Sequence, residues 1–251
     1  MKKLFPPMLS RPETHNVVGG LLYWLFAFLM LPGIFTLAVI PVPDPSSEVW
    51  IELIYHAINF AIILSFYLSY LKASFLDVQL YPQKVLSTVG LCAVVIIILR
   101  ASVLQILINT DNYYLANIAF NTLPTTEMDL LAFPASILFN QPIWGIVYLV
   151  FLTPLTISCM LYGSVFAPIC VNRPWLAYVA VAILPIIQHL LMVFCLHNPS
   201  EQMILFFLHL PVHLIACWSY QKTDTIWTPI GVHMLANLVL SLDCMAQMGI
   251  L

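Results

Sequence analysis

Between Asp129 and Arg173 the chain carries no Asp, Glu, Lys or Arg. A helix needs about 20 mostly apolar residues to cross a bilayer, and this run exceeds that length. In hydrocarbon each backbone N–H and C=O must be satisfied inside the protein, so a spanning segment of this kind is read as a helix. The rest of the chain agrees. Of 251 residues, 62% are hydrophobic and only 8% charged, whereas soluble domains carry about a quarter charged residues. The mean hydropathy is +0.98. The expected fold is all-α, a polytopic membrane helix bundle in a single domain spanning 1–251.

Seven candidate spans follow, at 17–42, 50–71, 86–108, 141–168, 174–196, 202–220 and 225–247. The breaks "PVPDPSSE", "YPQK", "VNRP", "HNPSE" and "QKTDT" are short and rich in turn residues. One connection, Asn109 to Gln141, is long and half apolar, with room for a partial or re-entrant helix. The N-terminal Lys2 and Lys3 resemble a signal peptide, but the apolar run after them is too long, so the first span is expected to be retained. Lys2, Lys3, Arg11, Lys72, Lys84, Arg173 and Lys222 all fall on one side of a seven-span layout. The opposite loops hold acidic residues and no Lys or Arg. The positive-inside rule then places the N-terminus in the cytoplasm and the C-terminus outside a cell membrane. The lipid bilayer is the expected partner, and no nucleic-acid partner is expected.

The six cysteines are scattered through apolar runs without a C-x-x-C spacing, which reads as small buried hydrophobes. Ionisable groups within spans are costly and mark sites by default. Here they are His56, Arg100, His189, His209, His213, His233 and Asp243. Arg100 is too deep for easy snorkelling and is expected to face a cavity or a polar partner. His56 and Asp243 lie near span ends, where the plainer reading is an interfacial group. His209 and His213 are four apart, a spacing at which two histidines can share a metal. Pro211 between them bends or breaks the helix, and neutral histidines bonded to carbonyls are the plainer reading. His233 and Asn237 are again four apart in "TIWTPIGVHMLANLVLSL", and His189 follows Pro185 in "VAILPIIQHLLMVF".

Taken in order, these features resemble the CPBP family (CAAX proteases and bacteriocin-processing enzymes, also called Abi proteins), which are multi-span intramembrane proteases. The resemblance runs from about Pro154 to Leu242, within a family-like core at about 141–247, and is densest in "YQKTDTIWTPIGVHMLANLV". The family typically has Tyr-x-x-Thr-Gly-x-(Leu/Ile)-Trp/Phe-x-Pro-Ile-x-x-His-x-x-x-Asn there. By this resemblance His189, His233 and Asn237 match catalytic positions, with Pro185 where the second motif has phenylalanine. The first motif, Pro-x-x-Glu-Glu-x-x-x-Arg-Gly, falls on "PLTISCMLYG". Pro154 and Gly163 keep the frame. Ile157 and Ser158 stand for the two glutamates and Tyr162 for the arginine.

In the family a first-motif glutamate is thought to activate the attacking water, and the histidines and Asn position it or hold a metal. Amide hydrolysis needs a base and a partner for the developing oxyanion, and Ile157 and Ser158 supply no base. Loss of both partners of a buried ion pair is far less costly than loss of one, and Ser158 and Tyr162 are expected to hydrogen-bond in its place. The resemblance thus implies a catalytically impaired member, a scaffold, regulator or immunity-type factor that holds a membrane peptide or membrane protein. The alternative is an active endopeptidase with altered chemistry. It would use either zinc on His189, His209, His213 and His233, or Cys159 as nucleophile. A transporter or channel ranks third, since neither repeats nor paired broken helices are present.

Overall fold

The computed structural model describes residues 12–26, 45–111, 141–195 and 199–250. The side chains of His56, Pro185 and His189 lie outside the described residues, as do most of the first expected span and the long connection after Asn109. The described residues form helices α1 (Thr14–Leu25), α2 (Pro45–Leu80), α3 (Pro82–Asn109), α4 (Pro142–Cys170), α5 (Pro174–Cys195), α6 (Pro199–Thr223) and α7 (Trp227–Gln247). Four stretches among them are long and apolar enough to cross a membrane: Ala57–Leu80, α3, α4 and α7.

Two expected boundaries are corrected. The second span was expected to end at 71, before Lys72, yet α2 continues to Leu80. Nothing in "KASFLDVQL" breaks a helix. The stop comes at Tyr81 (φ −132°, ψ 52°), the residue before Pro82, because a proline ring excludes the helical conformation from its predecessor. Pro211 was expected to bend or break its helix; α6 is not broken there and continues to Thr223. In a membrane bundle, neighbouring groups can serve the carbonyl that a proline leaves.

The charge-free segment becomes α4, the central helix. Of its most apolar window 61% is buried, against 17% for α3, which turns most of its surface outward. Every side chain from Ser158 to Ala167 is buried. Helices α1, α2, α5, α6 and α7 all pack on α4, and α3 packs on α6 and α7. Nor is α4 a plain α-helix. Val147–Leu152 and Ser158–Phe166 are π-helical, a wide winding that occurs mostly as short bulges and is frequent at functional sites.

Close contact of α1 and α2 with α4 depends on two glycines. A Cβ on Gly163 would lie 2.7 Å from the Tyr67 ring, and one on Gly20 would overlap Ser164 Oγ and lie 2.6 Å from the Tyr67 hydroxyl. Tyr67 and Ser164 hydrogen-bond to each other at this crossing. Small residues at such crossings let membrane helices approach closely enough for dispersion and side-chain hydrogen bonds to act.

The α6–α7 turn is fixed by side chains. Thr223 Oγ1 donates to Thr228 Oγ1 at 2.7 Å, and Ser74 on α2 bonds Thr225 Oγ1 at 2.7 Å. Trp227 Nε1 donates to the Leu71 carbonyl at 2.9 Å. Asp224 has φ 58°, the left-handed region. The CPBP pattern has glycine at this position, and Asp tolerates that conformation better than most residues. The turn therefore delivers α7, with His233 and Asn237, onto α4.

Candidate functional site

Tyr162, His213 and His233 come from three helices and meet at one phenol oxygen. Tyr162 Oη lies 2.8 Å from His213 Nδ1 and 3.2 Å from His233 Nε2. All three residues are fully buried. Counted along each helix from the end near Lys222, His233 is six residues in, Tyr162 eight and His213 ten. At about 1.5 Å per residue these are depths of about 9, 12 and 15 Å. The phenol has one proton. It can therefore donate to at most one ring, so at least one of the two facing nitrogens presents an N–H to it.

Asn237 is one turn beyond His233, and its role follows from Pro154. In the π winding the Thr153 N–H bonds the Tyr148 carbonyl. The next donor in that pattern would serve Leu149, but residue 154 is proline and has no N–H. Asn237 Nδ2 donates to the Leu149 carbonyl instead, at 2.7 Å. Pro154 on α4 and Asn237 on α7 thus share one carbonyl, the proline leaving it and the asparagine serving it. Replacing Asn237 by Ala should cost roughly 1–3 kcal/mol, the penalty for a buried carbonyl left unmade. In a Pro154→Ala background the new N–H reaches that carbonyl, so the same replacement should cost less. A double-mutant cycle on thermal unfolding in detergent checks this, and strictly additive losses would refute the pairing.

The expected Ser158–Tyr162 hydroxyl bond is not formed. Tyr162 turns to the histidines, and Ser158 Oγ is buried with no hydrogen-bond partner among the described residues. Thr153 Oγ1 on α4 and Ser241 Oγ on α7 share that condition. Ile157 is buried in the main apolar core. Cys159 lines a narrow space with Leu155 and Thr156 of α4 and Phe60, Ile63, Leu64 and Leu71 of α2. That face of α4 is turned to α2, and no histidine lines the space.

His213 belongs to this centre, a role that its spacing from His209 did not indicate, whether read as a metal pair or as histidines bonded to carbonyls. His209 is buried one turn away and takes no part in the two phenol bonds. Zinc sites bring three or four ligands to about 2.0–2.3 Å. Here the facing nitrogens of His213 and His233 are both bonded to the phenol. Among the described residues no three His, Cys, Asp or Glu side chains group as ligands. The described side chains therefore do not fit a zinc ion.

Comparison with known families matches residues 139–239 to the type II CAAX prenyl endopeptidase Rce1-like model. No curated protein and no solved structure matches the chain. The matched residues comprise α4 to most of α7, and so contain Tyr162, His213, His233, Asn237 and Pro154. Over residues 139–239 this membrane helix bundle is therefore similar to the CAAX prenyl endopeptidases, the group its motifs resemble.

Proposed function

We propose that the chain is a catalytically impaired CAAX-protease relative that holds a membrane peptide or membrane protein as a scaffold, regulator or immunity-type factor. The observation that carries this reading is the Tyr162 phenol bonded to both His213 and His233. The family resemblance puts an arginine at that position and two glutamates at Ile157 and Ser158. The phenol occupies one nitrogen of each histidine, Nδ1 of His213 and Nε2 of His233, and neither Ile157 nor Ser158 activates water at neutral pH. Charge asymmetry supports an N-terminus in the cytoplasm. Lys84, Arg173 and Lys222 sit at the α2–α3, α4–α5 and α6–α7 junctions, one end of an alternating bundle.

The test is incubation of the purified protein with a panel of membrane peptides, prenylated C-terminal peptides included. Product should not exceed that of the His233→Ala variant, while peptide binding persists. Cleavage that His233→Ala abolishes would overturn the proposal and favour the active endopeptidase.

A further inference from the structure

A second feature lies outside this centre. On α3, Ile96, Leu99, Arg100 and Val103 recur at helical spacing along one face. Facing them on α6 are Phe207, Leu208, Pro211 and Val212. Together they line a cavity of about 60 Å³ between the two helices. Leu99 is 41% exposed and Phe207 59%, so the cavity is the floor of a groove open to the bundle's outer surface. Arg100 is the one charged residue in the lining.

Its depth defines what can reach it. Arg100 is eighteen residues from Pro82 and nine from Asn109, about 27 and 14 Å from the two helix ends. It therefore lies on the Asn109 side of the helix centre. A cation within a span is costly, and such residues are retained where they face a partner. Whatever Arg100 bonds within the protein, its fork carries five N–H donors and matches phosphate geometry in a way an ammonium does not.

We propose that this groove binds an anionic phospholipid from the leaflet at the Asn109 end. Arg100 holds the phosphate, and the start of one acyl chain lies against Leu99, Val103 and Leu208. Charge complementarity selects an anion, and the apolar walls select a chain. The depth favours a lipid over free phosphate, which would have to leave water to reach the site.

Native mass spectrometry of the delipidated protein tests this, with phosphatidylglycerol and phosphatidylcholine of identical chains as probes. The unaltered protein should retain phosphatidylglycerol about tenfold more strongly, a ratio that one charged hydrogen-bonded contact supplies. Arg100→Gln should bring the two lipids to parity. Arg100→Lys, which keeps the charge without the fork, should fall between. Val103→Phe fills the groove and should weaken both lipids while Arg100 remains. If Arg100→Gln does not fold, the Lys and Phe variants decide. Equal retention of the two lipids by the unaltered protein would overturn the proposal, as would an undiminished preference in Arg100→Gln. Displacement of the lipid by millimolar inorganic phosphate would also overturn it, since the groove would then be an anion site without a chain.

Discussion

Tyr162→Phe should lower the thermal midpoint of the detergent-solubilised protein by about 5–15 °C. The change removes one oxygen and almost no apolar contact, so packing terms nearly cancel. It also takes the phenol from two fully buried imidazoles at once. Each buried polar group deprived of its partner costs about 1–3 kcal/mol, and in a domain of 150–250 residues each kcal/mol moves the midpoint by about 2–4 °C. Tyr178→Phe is the internal control. Its hydroxyl donates to Gln221 at 2.9 Å in an exposed setting, where water replaces the lost bond, and it should shift the midpoint by no more than a few degrees. If the two variants lose the same amount, the phenol does not hold the histidines together.

Gly20→Val should destabilise the bundle by a comparable amount. A Cβ at Gly20 overlaps Ser164 Oγ and comes within 2.6 Å of Tyr67 Oη. Neither side chain can retreat freely, because Tyr67 is itself buried and hydrogen-bonded to Ser164. Overpacking of this kind costs about 1–3 kcal/mol, and separating the two hydroxyls adds about 0.5–1.5 kcal/mol. Gly90 on α3 gives the opposite sign. A Cβ there meets nothing within 4 Å, so Gly90→Ala should gain roughly 0.5–1 kcal/mol from helix propensity alone. Paired unfolding curves of Gly20→Val and Gly90→Ala measure both. A Gly20 variant as stable as the unaltered protein would show that α1 does not seat on α4 in this way.

Much of the bundle was legible because its signals are local. An absence of charge over 130–172 marks the central helix, whereas the end of α2 was misplaced at 71 although Pro82 sets it. Gly163 was legible as part of a motif frame, and its packing role is consistent with that frame. The centre was legible only in part. His233 and Asn237 carry a four-residue spacing, and that spacing places them along one side of α7. His213 carries a four-residue spacing too, but to His209, which takes no part in the phenol bonds. His213 joins Tyr162 across 51 residues, and His233 joins Tyr162 across 71. Such separations leave no periodic trace in the sequence. The Ser158–Tyr162 bond was expected because only residues of one helix were compared, and the deciding competitors for the phenol came from two other helices. The Pro154–Asn237 link is chemically inferable from a missing N–H, but only once the winding of α4 is known.

That winding has a consequence for how this chain is compared with others. Over Ser158–Phe166 the backbone closes its rings one residue later than an α-helix does. The stretch behaves as if a residue had been inserted and absorbed without a loop. A relative whose helix is α throughout would present a different angular phase after this point, even with Pro154 and Gly163 matched. Correspondence along α4 is then a matter of phase as much as of position, and Tyr162 is best equated with whichever residue of a relative points at the two histidines.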